Sequence, residues 1–249
     1  MTLVCRTIQN PAYRPSLALF LQIYGTMQTL YHHPICPLSR QVRVYLKEFD
    51  MEFSMLKEDY WTRRKEFIKI NPAGSLPVLK LENPEYALVG TYSIIEYMRE
   101  ILKDFYFMPQ DPIECAETRK YISWFNEKFY REVSKMLIDE KMIRLLMHLG
   151  GPRSSFIMAA KSNLFQHLRF LNNLLEKNTY IVSEKISCAD IAAAGQISVV
   201  DYFGEINWDS WGTIKQWYSI IKSRPAFQPI LQDRIAGFTP PAEYSDLDF

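Results

Sequence analysis

The chain lacks an excess of either basic or acidic side chains. Its 29 basic and 28 acidic side chains leave a formal net charge of +1. A chain with such a balance has no overall electrostatic attraction for nucleic acid or for an anionic membrane. We therefore expect no nucleic-acid partner.

Long apolar runs are also missing. The best candidate, residues 16–24, follows Arg6 and Arg14 and is faintly like a signal peptide, but no small-residue cleavage site follows it. Because this run is too short to span a bilayer, we expect no direct membrane insertion. The first predicted strand begins at Thr29, so Met27 is a candidate for the true start. Residues 1–26 would then be an upstream misassignment or a disordered extension.

Cysteine is scarce and scattered. The four residues are Cys5, Cys36, Cys115 and Cys188, with no CxxC pair and no cluster with histidine. This spacing indicates neither a disulfide framework nor a zinc site, and we expect no bound metal. A reducing, cytosolic compartment is the simpler interpretation.

Two kinds of periodicity divide the rest of the chain. Residues 27–103 alternate short strand and helix patterns in the order βαβαββα, which predicts a thioredoxin-like domain. Residues 104–112 contain two prolines and predict a linker, and residues 113–236 carry only helical patterns. Residues 237–249 are predicted to be an exposed tail. Ser187 and Asp190 have the spacing of a capping box, which we interpret as a folding element and not as a catalytic pair.

The run from Asn71 to Leu79 is the most informative motif. Leu76-Pro77 lies between a loop and a strand, where a cis X-Pro bond would turn the chain sharply. Such a bend leaves the backbone N–H and C=O of Leu76 free to pair with an extended, peptide-like ligand. Gly90 and Thr91 follow shortly after this motif.

Cys36 is the sharpest chemical candidate. Pro37 suits the first turn of a helix, so Cys36 is predicted at a helix N-terminus, where partial positive charge favours the thiolate. Ser39 stands where a second, resolving thiol would be, and one-thiol chemistry is the corresponding prediction. The alternative is a partly buried loop cysteine without a task. His32 and His33 lie beside it, and we interpret them as loop surface because no carboxylate is close in sequence.

These motifs, in this order, resemble the glutathione S-transferase superfamily. The segments that carry the resemblance are Thr29–Arg43, the Leu76-Pro77 motif, Ile186–Ala192 and Ser223–Phe227. The resemblance implies a thioredoxin-like N-terminal domain followed by an all-helical C-terminal domain. It also implies that Cys36, Leu76, Pro77, Gly90 and Thr91 are the remnant of a glutathione site.

Gly90 is the departure from that site. A glutathione-binding enzyme needs a carboxylate for the ligand's ammonium group and a hydroxyl for its carboxylate, and only the hydroxyl of Thr91 remains. Loss of a desolvated charge pair costs about 2–5 kcal/mol of binding free energy. We therefore expect no cofactor and no catalytic residue. A glutathione-dependent transferase or thiol reductase that uses Cys36 and Ser39 is the alternative.

Trp61, Arg63 and Arg64 form an unusual segment before the second helix. A tryptophan beside cations is a typical anchor for a protein partner. The alternative is that Trp61 folds into the core while the cations are solvated. We weigh these two interpretations equally.

A closer resemblance is to a subgroup of transferase-like proteins of alphaproteobacteria that bind FtsZ at the division site. It is carried by Tyr31–Pro34, Ser39–Arg43, Gly90 and the ending Gly237–Phe249. This resemblance implies a cytoplasmic homodimer that binds FtsZ filaments, alters their curvature or bundling, and signals toward septal wall synthesis. Trp61, Arg63 and Arg64 are then predicted to face FtsZ. The residues of the tail predicted to bind a further partner are Tyr244, Asp246, Leu247, Asp248 and Phe249.

Overall fold

The computed structural model describes residues 28–102 and 104–247. The predicted N-terminal extension, the candidate start at Met27 and the last two residues, Asp248 and Phe249, lie outside the described residues.

The N-terminal half is built on a four-stranded mixed sheet. Its strands are β1 (Gln28–His32), β2 (Phe53–Lys57), β3 (Val78–Glu82) and β4 (Glu85–Val89). They lie in the order β2-β1-β3-β4, with β1 parallel to β2 and the other two pairs antiparallel. Leu30 of β1 pairs with Leu79 of β3 in this register, which places apolar side chains at the centre of the sheet.

Three helices complete this half: α1 (Pro37–Glu48), α2 (Lys65–Ile70) and α3 (Gly90–Ile101). The order of strands and helices is the predicted βαβαββα. α1 begins at Pro37, whose missing N–H and fixed φ suit the first helical position.

The C-terminal half is entirely helical. α4 (Pro112–Ser123) continues without a break through helical turns to Leu146, and we call residues 112–146 the long helix. It is followed by four further helices: α5 (Ser154–Leu175), α6 (Cys188–Tyr202), α7 (Gly212–Lys222) and α8 (Gln228–Leu231). The predicted fold class is confirmed. Within the described part of the chain, no helix has both the length and the apolar character that crossing a bilayer requires.

The predicted capping box starts the central helix, α6. The Ser187 N–H donates to Asp190 Oδ2 at 2.8 Å, and the Asp190 carboxylate also accepts from the Ile181 N–H at 2.9 Å and from Trp217 Nε1 at 3.0 Å. Every residue of α6 is buried. Asp190 therefore satisfies three buried donors around the helix start, which is the structural role predicted for it.

Helix α1 joins the two halves. Gln41 and Asn126 of the long helix exchange two hydrogen bonds, of 2.6 and 3.0 Å. A Cβ atom at Gly195 of α6 would lie 2.8 Å from Gln41 Cγ and 3.0 Å from the Pro37 carbonyl oxygen. Only glycine permits this close approach of the two helices.

The predicted exposure of the tail is wrong for its central part. Residues Ala242–Ser245 form a helical turn, and the side chain of Tyr244 is fully buried. Its hydroxyl donates to the Ile230 carbonyl at 3.2 Å, and its ring packs edge-on against Tyr202 at 5.2 Å. The physical reason is that an aromatic side chain gains more from a core cavity than from solvent.

Candidate functional site

The cleft between the two halves begins at the predicted proline motif. The Leu76-Pro77 bond is cis, as predicted. The Pro77 carbonyl accepts a 2.9 Å hydrogen bond from the Gly90 N–H, which ties the motif to the start of α3. Among the described residues, no backbone hydrogen bond occupies the N–H or C=O of Leu76.

A cavity of about 340 Å³ adjoins this motif, between the start of α3 and the long helix. It is bounded largely by apolar groups. Its lining residues are Leu38, Gly90, Thr91, Tyr92, Ile95, Glu96, Met108, Arg119, Ile122, Ser123, Asn126 and Glu127.

Two carboxylates, those of Glu96 and Glu127, line this cavity. Glu96 lies on α3, the helix that begins at Gly90. Its Oε2 atom accepts from Arg99 Nη1 at 2.6 Å. The carboxylate therefore already has a cationic partner.

The backbone conformation at Gly90 favours glycine. Its φ is +82°, a region that L residues rarely adopt. Space is not the limit, because an added Cβ atom would meet nothing within 4 Å. The neighbouring Thr91 is buried, and its hydroxyl donates to the Leu38 carbonyl at 3.5 Å.

Cys36 is placed at the helix N-terminus as predicted, but its thiol is not activated. Only 5 % of the residue is exposed, and burial raises the pKa of the thiol although the neighbouring Ser39 acts in the opposite direction. The predicted preference for thiolate is therefore wrong, since desolvation outweighs the partial charge of the helix. Cys36 forms a small apolar cluster with Phe67, Leu76 and Val78, and Tyr60 packs against this cluster.

His32 and His33 are buried, so their interpretation as loop surface is wrong. The Nδ1 atom of His33 accepts from the Ile35 N–H at 3.2 Å, and its Nε2 atom lies 3.4 Å from Asp59 Oδ1. Burial lowers the pKa of each histidine to about 4. With both ring nitrogens engaged by other groups, His33 shapes the loop and is not positioned as a base for Cys36.

The predicted remnant residues lie close together: Cys36 and Leu76 share one apolar cluster, the Pro77 carbonyl accepts from the Gly90 N–H, and Gly90 and Thr91 line the cavity. Cys36 is buried, and Gly90 supplies no carboxylate. Glu96 is paired with Arg99. The backbone of Leu76 and the hydroxyl of Thr91 are the parts of the site that remain.

The segment around Trp61 combines both interpretations that the sequence left open. The indole is half-buried, with its ring edge-on to His33 at 5.0 Å, whereas Arg63 and Arg64 are exposed. Arg64 Nη2 lies 2.7 Å from the buried carboxylate of Glu58. Arg63 lies over the loop before the proline motif, since a Cβ atom at Gly74 would be 3.1 Å from its Nη1 atom.

The end of the chain is divided between core and surface. Leu247 is half-buried against the core, whereas Asp246 is exposed. Tyr244 is therefore unavailable as a direct partner contact, which corrects that prediction.

Two residues that hold the cleft in place were missed as site residues. Arg40 is fully buried, and it donates to the Pro34 carbonyl at 2.7 Å and to Ser198 Oγ at 2.8 Å. Arg43 pairs with both carboxylate oxygens of Asp233, at 2.5 and 3.0 Å. No sequence signal marked them, because α1 is amphipathic in sequence and its polar residues are buried only by tertiary packing.

Comparison with known proteins identifies the family. The glutathione S-transferase N-terminal domain matches residues 35–101, and the glutathione S-transferase C-terminal domain matches residues 140–225. The chain belongs to the glutathione S-transferase superfamily.

Relatives within this superfamily cover almost the whole chain. FtsZ-localized protein A of Caulobacter vibrioides is 39 % identical over 224 residues, which are 89 % of this chain and 98 % of that protein. A glutathione S-transferase structure from Sinorhizobium meliloti has 39 % identity and a TM-score of 0.86, and it covers 90 % of this chain and 100 % of its own. The structure of FzlA from C. crescentus has 38 % identity, the same TM-score and the same coverage. The predicted similarity to the division subgroup is confirmed.

Proposed function

We propose that this protein is a non-catalytic, transferase-like division protein that binds FtsZ filaments in the cytoplasm at the division site. In this proposal it acts as a homodimer, changes filament curvature or bundling, and signals to septal wall synthesis through its tail. The observation that carries the proposal is the similarity over nearly the full chain to a protein named for its localisation with FtsZ.

The cleft supports a role without catalysis. Burial raises the pKa of the Cys36 thiol, and Gly90 itself supplies no carboxylate. Such a site makes few favourable polar contacts with a zwitterionic tripeptide such as glutathione. In this proposal the outer surfaces of the protein, and not the cleft, carry its function. We therefore propose that the protein needs no cofactor.

A dimer would give the protein two identical filament contacts at fixed spacing. Tyr86, Val89 and Tyr92 expose apolar surface along β4 and the start of α3, next to the cavity. We assign the dimer face to this patch, because a self-complementary apolar surface suits a two-fold interface. Two weak contacts to one filament then combine through their effective concentration.

The FtsZ-facing surface in this proposal is the segment around Trp61. Its exposed cations, Arg63 and Arg64, flank a half-buried indole, which is a common composition for a protein interface. Arg64 also pairs with the buried carboxylate of Glu58, so its replacement would leave that carboxylate unpaired. Arg63 is therefore the better residue with which to test this surface.

The tail would engage a second partner independently. Tyr244 fixes the segment to the core, and residues from Asp246 to the C-terminus follow this fixed point. We propose that Asp246, Leu247, Asp248 and Phe249 carry the contact to the septal-synthesis machinery.

The proposal is tested by pelleting the purified protein with GTP-assembled FtsZ and imaging the filaments. We expect Arg63→Glu to weaken co-sedimentation about tenfold, because reversing an interface charge adds repulsion. Lys69→Glu is the matched control, an exposed cation of the next helix, and should bind as the wild type does. Equal binding by both variants, and by Trp61→Ala, would remove this surface. Wild-type protein that neither pellets with FtsZ nor alters its filaments would overturn the proposed function.

A glutathione-dependent transferase or thiol reductase is the second candidate. It is favoured by the cis Leu76-Pro77 bond, by Thr91, and by the position of Cys36 at a helix start. Retention on glutathione-agarose that free glutathione or Cys36→Ala abolishes would favour this enzyme over the scaffold.

A further inference from the structure

A second exposed apolar surface lies where the long helix meets α5, and it includes none of the residues assigned to the sites above. We call residues 145–158, which join the long helix to α5, the tip. Six of its large apolar side chains are between 41 and 70 % exposed. They are Leu145, Leu146, Met147, Leu149, Phe156 and Met158. Single exposed apolar residues are ordinary, but a run of this kind marks an interaction surface.

The sequence segment that contains the tip carries charge of one sign. From Lys141 to Leu175 the sequence contains no aspartate or glutamate, whereas it contains five lysines and arginines. These cations are Lys141, Arg144, Arg153, Lys161 and Arg169. The overall charge balance of the chain hides this local segregation.

Two carboxylates near the tip, those of Glu140 and Glu205, lie beneath its surface, whereas Asp139 is 39 % exposed and pairs with Lys135. Glu140 is almost fully buried and pairs with Arg144 and Arg153. Glu205 is also buried and pairs with Lys141 and Lys161. The cations are the more exposed member of each pair, so the outward surface is positive.

The tip is a continuously exposed turn between the long helix and α5. All residues from 145 to 156 are exposed in succession. Arg144 donates to the Leu149 carbonyl at 2.6 Å and to the Gly151 carbonyl at 3.2 Å, and the Arg153 guanidinium stacks 3.9 Å from the Phe156 ring. These contacts give the turn a defined shape with apolar side chains pointing outward.

We propose that the tip docks on the surface of an anionic phospholipid bilayer. An exposed apolar turn beside cations matches the headgroup region, where apolar side chains enter the upper acyl layer and cations meet lipid phosphates. A hollow of about 380 Å³ beside the tip is lined by Leu145 but by none of the other five exposed apolar side chains, so it does not collect the apolar surface that a bound helix would cover. The contact is peripheral, at headgroup depth, and requires no spanning helix. It is independent of FtsZ binding, which we assign to the segment around Trp61.

The test is co-sedimentation of the full chain with vesicles of phosphatidylcholine containing about 30 mol % phosphatidylglycerol. We expect binding that falls strongly in vesicles of phosphatidylcholine alone and in about 0.5 M salt. Replacement of Leu146 and Leu149 together by glutamate should weaken binding at least about tenfold, because two apolar contacts are replaced by repelled charges.

Ile220→Glu is the matched control, because Ile220 is an exposed isoleucine on α7 and outside the tip. It should bind vesicles as the wild type does. Circular dichroism checks folding, and the single variant Leu149→Glu serves if the double variant misfolds. Absence of binding to the anionic vesicles, or equal loss in Ile220→Glu, would overturn the proposal. FtsZ pelleting by the same variants should stay unchanged, which separates this surface from the filament surface.

Discussion

The cleft around Cys36 and the C-terminal segment around Tyr244 differ in what the fold does with their polar and aromatic groups. In the cleft, a sequence motif suited to binding is kept while its thiol is buried and its carboxylate is absent. In the C-terminal segment, a sequence that suits solvent is drawn into the core by one tyrosine. The comparison teaches that a motif can be present without an exposed reactive group, and that a segment predicted to be an exposed tail can be anchored in the core.

The largest expected effect tests the anchor. Tyr244→Ala should lower the free energy of unfolding by about 3–5 kcal/mol, because it empties a cavity between Tyr202 and Arg40. Urea denaturation measures this change. Tyr244→Phe keeps the ring and loses only the hydrogen bond to Ile230, so it should cost about 1 kcal/mol. A small effect of the alanine variant would mean that the segment is not an anchor.

The next prediction concerns the closed thiol. Cys36 should react with iodoacetamide about a hundredfold more slowly than Cys115 in the folded protein, because local opening must precede the reaction. Cys115 is half-buried and accepts a 2.9 Å hydrogen bond from Arg119. Peptide mass spectrometry gives both rates, and denaturant should make them similar. Comparable rates in the folded state would show an accessible, enzyme-like cysteine.

The third prediction uses the buried histidine of the cleft. The folded-state pKa of His33 is about 4 and its ordinary value is 6.5, so the unfolded chain binds more protons between these limits. The contribution of His33 to the free energy of unfolding is therefore present above pH 6.5 and is lost as the pH falls towards 4. Between pH 7 and 5, His33 should account for about 2 kcal/mol of lost stability.

Denaturation of His33→Asn across this pH range measures that share, since the asparagine can still accept from the Ile35 N–H. Asp201 acts in the opposite sense, because burial raises its pKa to about 6. An unchanged pH profile in His33→Asn would contradict the buried, neutral assignment.

The smallest expected effect concerns Gly90. It tests whether the missing carboxylate is the only obstacle to glutathione binding in this cleft. Gly90→Glu should raise the affinity for glutathione about tenfold, measured by calorimetry, since it restores a partner for the ammonium group. The positive φ of Gly90 should cost about 1–2 kcal/mol of stability in this variant and in Gly90→Ala alike. Gly90→Ala should gain no affinity. If Gly90→Glu also gains none, burial of the thiol end is the dominant obstacle.

The fold was largely predictable because its signals are local. The alternation of β1 and β3, Pro37 at a helix start, the cis Leu76-Pro77 bond and the Ser187–Asp190 cap each depend on a few neighbouring residues. For the site, the sequence predicted which residues belong to it but not their burial or their contacts. His33 and Asp59 are far apart in the chain, and their contact could not be deduced from spacing.

The sequence by itself determined the architecture, the missing carboxylate at Gly90 and the presence of an acid-free stretch from Lys141 to Leu175. Only the tertiary structure decided that the Cys36 thiol is buried, that Tyr244 is an anchor and that the carboxylates of Glu140 and Glu205 lie beneath the cations of the tip. The physical reason is that backbone preferences act between near neighbours, whereas burial and ion pairing depend on residues that only folding brings together.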